Sequence, residues 1–278
     1  MANVLITGCS SGFGLLTALH FARQGDKVFA TLRDPAKGGE LQRACRAESL
    51  ELEILELDLL DSDSVDAAAK HAETAGPLDV LVNNAGMEVR GPIEETEEDE
   101  VRLQFDTNVF GTLRVIRAIL PGMRERRAGT IVTVSSIAGL VSRPFGGLYA
   151  ASKHALEAIT EALYHELKPF GVRLVLIEPG RYATQFAQNM LVARRFTPRS
   201  PYRATCDRFD QALDRLLPDG KPADPEEVAE LIYRATYDPQ KRFRYLAGAD
   251  AEMMARLYRE KSFEEFEQLM RQALDWQD

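Results

Sequence analysis

Along the first two thirds of the chain, short apolar runs alternate with stretches whose apolar residues recur every three or four positions. Asn3–Thr7, Lys27–Leu32, Leu50–Leu57, Leu78–Val82, 129–135 and 172–177 are compact apolar runs that read as strands. Helical spacing fills the intervals: Leu15–Gln24, ended by Gly25, then about 38–48, 62–75, 97–127 and 148–168, the last stopped by Lys168-Pro-Phe-Gly171. Strands that alternate with helices need crossover connections. The pattern therefore predicts an α/β chain with a doubly wound, mostly parallel sheet, in one domain spanning 1–278.

After Pro179-Gly180 the alternation lapses. Residues 181–223 carry Pro198, Pro201, Pro218 and Pro222 among scattered apolar and basic side chains, and predict helices laid over a substrate pocket. Order resumes with a capped helix from Asp224-Pro-Glu-Glu and a short strand near Phe243–Ala247. A charged, amphipathic helical tail, 250–278, runs from Ala251 through Trp276.

Composition removes several function classes. Of 278 residues 45% are hydrophobic, enough for a large core, while 34 Lys plus Arg against 43 Asp plus Glu leave a formal charge of −9. With no basic stripe, a nucleic-acid partner is not expected. Cys9, Cys45 and Cys206 are odd in number and far apart, which suggests neither a disulfide framework nor a metal site. Met-Ala-Asn leads straight into a strand, leaving no room for a signal peptide, and no apolar run approaches the ~20 residues of a membrane span. A cytoplasmic protein without a membrane partner is expected.

Chemistry concentrates in two places. Thr7-Gly-Cys-Ser-Ser-Gly-Phe-Gly14 closes the first strand, with glycines at 8, 12 and 14 that let backbone approach a pyrophosphate at the positive end of a helix. Tyr149 and Lys153 lie one helical turn apart, and Ser136 precedes Tyr149 by thirteen residues at the end of TIVTVSS. Tyr-x-x-x-Lys recurs as Tyr164/Lys168 and Tyr237/Lys241, but thirteen residues before those tyrosines stand Ala151 and Asp224. Only the first pair has a hydroxyl upstream, and Pro239 breaks the helical spacing of the third. Ser135 points to the opposite strand face from Ser136.

Other positions add to the picture. Asp58 follows the third strand and, with Asp61 placed to cap the next helix, is free to accept a proton from a nucleotide base. Asn83-Asn84-Ala85-Gly86 ends the fourth strand, where small residues suit a ribose and asparagine amides suit tying strands together; both readings stand. Asn108 sits among Phe105, Val109 and Phe110 in the long helix, so its amide needs buried partners. At the end of the second strand stands Leu32, followed by Arg33, whose fork suits a 2′-phosphate. A one-residue shift would instead bring Asp34 to the ribose.

These elements in this order resemble the short-chain dehydrogenase/reductase family over about residues 3–185. The matching pieces are TGCSSGFG, Asp58, NNAG, Asn108, the Ser136–Tyr149–Lys153 set and Pro179-Gly-Arg-Tyr-Ala-Thr184. VFATLRDP, SSIAGLVSRPFGGLYAASKHALE and IEPG are similar to the 17β-hydroxysteroid dehydrogenase branch. The resemblance implies a Rossmann fold and hydride transfer between a nicotinamide cofactor and a small-molecule alcohol or carbonyl compound. It makes Tyr149 the acid and base, Ser136 the holder of the substrate oxygen, Lys153 a grip on the nicotinamide ribose and Asn108 the group that links the lysine, through water, to solvent.

Cofactor contacts are then expected at Gly8, Ser10, Ser11, Gly12, Phe13, Gly14, Asp58, Leu59, Asn84, Ala85 and Gly86, at Tyr149 and Lys153, and at Pro179, Gly180 and Thr184. Arg33 favours NADP(H) over NAD(H). A Lys153 ammonium on the same helix face as Tyr149 and an oxidised nicotinamide are both expected to favour phenolate. Phe186, Met190, Leu191, Phe196, Tyr202 and Phe209 point to a bulky apolar, steroid-like or aryl substrate, while Arg143, Arg181, Arg194 and Arg195 leave room for an acidic group on it. The rival reading is a nucleotide-sensing regulator without turnover. The resemblance also implies a homodimer through the helices at 97–127 and 148–168, with Val109, Leu113, Ile116 and Leu120 facing the sheet and Phe105, Thr112 and Ala158 facing a partner copy. The tail would cover the surface through which relatives form tetramers.

Overall fold

A computed structural model describes residues 1–213, 217 and 221–274; Pro218 and Trp276 lie outside the described residues. Seven parallel strands form one sheet: β1 (Asn3–Thr7), β2 (Lys27–Leu32), β3 (Glu53–Glu56), β4 (Val80–Asn83), β6 (Thr130–Val134), β7 (Arg173–Pro179) and β9 (Arg244–Ala247), in the order β3-β2-β1-β4-β6-β7-β9. A two-stranded parallel ribbon, β5 (Val89–Arg90) with β8 (Leu191–Val192), stands apart from it.

The strands read as unbroken apolar runs because both faces are buried. Side chains alternate between two cores. Val4, Ile6, Val28, Ala30, Val132, Val175 and Ile177 pack on α1 (Gly12–Arg23), α2 (Gly39–Glu48) and α8 (Glu226–Tyr237). Leu5, Phe29, Leu81, Ile131 and Leu174 pack on the other side, against α3 (Ser62–Glu73) and α5 (Thr112–Arg126). The strand order reverses between β1 and β4, whose carboxyl ends open the crevice where such sheets receive ligands.

One predicted element is built differently. The helix expected over 97–127 is α4 (Glu98–Phe105), a π-helical turn at Asp106–Gly111, and α5. The wider turn accommodates Asn108, whose side chain is tied to Met87 off the helix, and brings Gly111 against Leu59, where a Cβ would stand 2.6 Å from that residue's own. The stripe on α5 also differs from expectation. Val115, Ile116, Ile119 and Met123 face the core, Leu113 and Leu120 are half-buried, and Thr112 turns inward with its hydroxyl donating to the Asn108 carbonyl at 2.8 Å.

The described residues of 181–223 hold β8 and α7 (Arg203–Leu213) among irregular chain. The tail forms α9 (Ala249–Glu260) and α10 (Phe263–Ala273), the latter begun by a reciprocal cap between Ser262 and Glu265.

Candidate active site

Gly8 to Gly14 form a cradle that admits no side chain at its closest points. Gly8 takes a left-handed φ of 76°, and a Cβ there would lie 2.9 Å from Ala85 Cα. A Cβ on Gly14 would lie 2.3 Å from the Gly8 carbonyl oxygen. Ser11, at the N-cap of α1, makes no capping side-chain bond, and the first turn holds no acid. Amides and a positive helix end are therefore left for an outside anion, and the cradle fits a dinucleotide pyrophosphate.

A cavity of about 1550 Å³ runs from this cradle across the carboxyl end of the sheet. Its nucleotide end is lined by Gly8, Ser10–Phe13, Leu32–Asp34, Asp58, Leu59 and Asn84–Gly86. Arg33 is exposed and has no ion pair among the described residues, whereas Asp34 Oδ1 is spent on the Ala36 N–H at 3.0 Å. Lys37 lines the same end, as does Glu40. Asp61 caps α3 as expected, and Asp58 Oδ1 accepts from Leu60 N–H at 3.0 Å. In Asn-Asn-Ala-Gly the strand-tying role is seen at one residue and the cavity wall at two others. Asn84 ties strands, its Nδ2 donating to the Thr7 carbonyl at 2.9 Å and to that of Gly8 at 3.2 Å, while Ala85 and Gly86 present a flat wall to the cavity.

Ser136, Tyr149 and Lys153 meet further along. Ser136 follows β6, Tyr149 and Lys153 share one face of α6 (Gly147–Leu167), and Ser136 stands close enough to the Tyr149 phenol to act on it. Ser136 Oγ also accepts from Ala138 N–H at 3.1 Å. Lys153 Nζ donates to the Val134 carbonyl at 2.8 Å and stands 5.7 Å from the centre of the Tyr149 ring. Asn108 closes the group from the π turn: Oδ1 accepts from Met87 N–H at 2.9 Å, and Nδ2 donates to the Met87 carbonyl at 2.9 Å and to Ser152 Oγ at 3.0 Å. Gly86 lies between, since a Cβ on it would be 3.3 Å from Asn108 Oδ1 and 3.9 Å from Lys153 Nζ. Pro179 and Gly180 line the cavity, and Thr184 packs over Gly12.

Electrostatics here differ from expectation. Burial, and then the Glu88 carboxylate, push the Tyr149 phenol above its ordinary range, and the Ser136 hydroxyl and the charge of Arg143 pull it back. The groups that lower it most are Ser136 and Arg143, not Lys153, because the ammonium is directed at Val134. Burial also depresses Lys153 to about 8, against a raising contribution from Glu157. Tyr149 is therefore protonated at neutral pH, the state of a proton donor.

The two decoy pairs lie elsewhere. Tyr164 packs on Phe243 and His165, and the Tyr237 hydroxyl donates to Asp26. A profile of the short chain dehydrogenase family matches residues 2–194. Human 17-beta-hydroxysteroid dehydrogenase type 1 is 43% identical over 255 residues, 87% of this chain and 76% of the human protein. The chain belongs to the short-chain dehydrogenase family.

Among solved structures, a short-chain dehydrogenase from Streptomyces avermitilis superposes with a TM-score of 0.80 at 33% identity, covering 97% of both chains. One from Burkholderia phymatum in complex with NAD gives 0.79 at 30% identity and covers 92% of both. As a short-chain dehydrogenase similar to the 17β-hydroxysteroid branch, the protein is an oxidoreductase of alcohol and carbonyl compounds that uses a nicotinamide dinucleotide.

Several site residues of this short-chain dehydrogenase escaped the sequence reading. Glu88 is buried, 2% exposed, and its carboxyl is raised by that burial although Arg143 and Arg90 oppose it. Arg143 Nη2 donates to Glu88 Oε1 at 2.6 Å. Gln104 pins the same loop, Oε1 accepting from Val89 N–H at 2.7 Å and Nε2 donating to the Met87 carbonyl at 2.8 Å. No local pattern marks Glu88 or Gln104, since each acts through a neighbour distant in sequence.

At the substrate end, Phe186, Met190, Leu191 and Phe209 line the cavity as expected, but Phe196 and Tyr202 do not. Phe196 stacks on Phe145, and the Tyr202 hydroxyl donates to Glu94. Packing against Phe196 and Phe209 holds Phe145 at a left-handed φ of 61°, just before α6. Of the four arginines, Arg143 and Arg181 line the cavity, while Arg194 is paired with Glu97 and Asp99. The tail contributes too. Met253, Met254, Phe263, Phe266, Met270 and Leu274 line the far wall, which the sequence reading had assigned to an outer surface.

Proposed function

We propose that this short-chain dehydrogenase interconverts a ketone and a secondary alcohol on a bulky apolar substrate, with NADP(H) as its cofactor. The reading is carried by one observation: Ser136, Tyr149 and Lys153 stand together where a phosphate-fitting cradle gives way to an apolar chamber within one cavity. Gly8 to Gly14 would hold the pyrophosphate, Asp58 the adenine, Ala85 and Gly86 the ribose, and Lys153 the nicotinamide ribose. When bound, the reduced nicotinamide supplies the hydride.

Ser136 Oγ and the Tyr149 hydroxyl orient the substrate carbonyl, and Tyr149 donates its proton to the developing alkoxide. In the reverse direction Tyr149 takes that proton back. Asn108 acts by holding Met87, and so the wall at Gly86, in register with Lys153. NADP(H) rather than NAD(H) is supported by Arg33, exposed and without an ion pair among the described residues, with Lys37 nearby, and by the engagement of Asp34 in a turn. A bulky apolar substrate is supported by Phe186, Met190, Phe266 and Met270, and by the likeness to a human steroid dehydrogenase.

The described residues of 181–223 and α10 act as the cover of that chamber. A homodimer through α5 and α6 is supported by the outward Phe110, 53% exposed, and by exposed Ala151, Ala158 and Ala162 on α6. Light scattering at micromolar concentration tests it, and a mass near 31.0 kDa with full activity refutes it. The enzymatic reading is tested by titrating NADPH and NADH, then following a panel of aryl and steroidal ketones at the reduced-nicotinamide absorbance. Tight NADPH binding with turnover of apolar ketones is expected. Cofactor binding with no turnover of any ketone or alcohol would favour a nucleotide sensor instead.

A further inference from the structure

The turn that follows β7 is fastened to the tail. Gly180 N–H donates to the Ala247 carbonyl at 2.8 Å, carrying the β7–β9 pairing one residue past the strand, and Arg181 N–H donates to Asp250 Oδ2 at 2.8 Å. Asp250 stands in the first turn of α9 and lines the cavity. Its carboxylate fills a notch between two glycines. A Cβ on Gly180 would lie 2.1 Å from Oδ1 and 2.4 Å from Oδ2, and one on Gly248 would lie 2.7 Å from Oδ1. Gly180 does not take a positive φ, so the carboxylate, and not the backbone angle, keeps a side chain out of this position.

The same turn reaches both ends of the site. Before the fastening, the Pro179 carbonyl accepts from Ser136 Oγ at 3.4 Å. Beyond it, the Tyr182 ring meets Phe13 of the glycine cradle edge-on with 5.5 Å between centres, and Thr184 packs over Gly12. Pro179–Thr184 therefore runs from the serine of the reacting end to the pyrophosphate cradle, and Asp250 grips it near the middle. An amide bonded to a carboxylate is held by a charge-assisted bond, stronger than the neutral backbone bonds on either side of it. Helix α9, which supplies that carboxylate, also lines the chamber with Met253 and Met254. Asp250 lies outside residues 2–194, the part that matches the family profile.

We infer that Asp250 is a positioning residue for the nicotinamide end of the cofactor: its carboxylate fixes Gly180 and Arg181, so that the turn presents one backbone conformation to the ring. The tail is then part of the cofactor site as well as of the chamber wall. This rests on the cofactor placement proposed above.

The probes are NADPH and 2′-phospho-ADP-ribose, which lacks only the nicotinamide, with NADH and ADP-ribose run beside them so that either cofactor preference can be read. Each is titrated calorimetrically into the full chain, Asp250→Ala and Asp250→Asn. Asp250→Ala should weaken the preferred dinucleotide about tenfold and its nicotinamide-free counterpart less than about twofold. Asp250→Asn keeps an oxygen to accept from Arg181 N–H and should stay within about threefold of the unmodified chain on both. A second measurement needs no variant: in the ligand-free, unmodified chain the Arg181 amide, followed by NMR hydrogen exchange, should exchange at least about tenfold more slowly than in an unstructured chain. Equal losses on both probes, no loss on either, a loss in Asp250→Asn as large as that in Asp250→Ala, or an unprotected Arg181 amide would each overturn the inference. The expected binding losses without turnover of any ketone or alcohol would refute the oxidoreductase reading alone. Absence of binding by every nucleotide would overturn both.

Discussion

Asn108→Asp replaces one donor by an acceptor with almost no change of shape, at a site where both ends of the amide are engaged. Oδ1 accepts from Met87 N–H, and Nδ2 donates to the Met87 carbonyl and to Ser152 Oγ, all within 3.0 Å and at 1% exposure. An introduced carboxylate keeps the first bond but turns a lone pair toward the Met87 carbonyl, which retains only Gln104 Nε2. Ser152 has no second proton to offer, because its hydroxyl already donates to the Tyr149 carbonyl at 2.7 Å. Two lost donations and a buried charge should cost about 3 kcal/mol at neutral pH.

That penalty belongs to the ionised form and must follow pH. At about 1.36 kcal/mol per unit, a cost of about 3 kcal/mol places the new carboxyl some two units above its ordinary value near 3.9, at roughly 6. With its folded value above its unfolded one, the variant binds more protons folded than unfolded between about pH 4 and 6. Its stability therefore falls as pH rises through that window, and the deficit is full above it. Below it the protonated acid can donate to Met87 again. Urea unfolding of both proteins at a series of pH values reads this directly. A deficit under about 0.5 kcal/mol at about pH 7.5, or one that is the same at about pH 5, would refute the reasoning.

Tyr149→Phe should lower turnover at least about a hundredfold with cofactor affinity nearly unchanged, whereas Tyr164→Phe should do little; equal losses in steady-state kinetics would undo the assignment of Ser136, Tyr149 and Lys153 as one unit. Arg33→Ala should weaken NADPH binding toward the low end of roughly 1.5–3 kcal/mol, since Arg33 is exposed, and barely touch NADH in a fluorescence titration. Tighter NADH binding by the unmodified protein would contradict the role given to Arg33. Glu88→Gln removes a negative charge that raises the Tyr149 phenol, so the rise of kcat/KM with pH in alcohol oxidation should move to lower pH. An unmoved or higher profile would show that Glu88 does not act on Tyr149.

Much of the architecture is a local property of this chain. Strands buried on both faces must be apolar throughout, so Asn3–Thr7 and Lys27–Leu32 could be bounded to the residue, while β3, on the sheet edge with Glu53 and Glu56, is shorter than its apolar run suggested. The glycine turn, the Tyr149–Lys153 spacing and Ser136 at a strand end were likewise legible, because each needs particular residue types at fixed offsets. The tertiary structure decided what depends on partners far away in sequence. Thr112 faced inward because the π turn presents the Asn108 carbonyl to it, and Asp34 was withdrawn from the ribose side by a turn that uses its carboxylate. Glu88, Gln104 and Arg143 form one unit across 55 positions, from 88 to 143. Helix α10 reads as a charged surface helix, yet its apolar residues Phe266, Met270 and Leu274 find the cavity wall, since periodicity says which face a helix hides but not what it is hidden against.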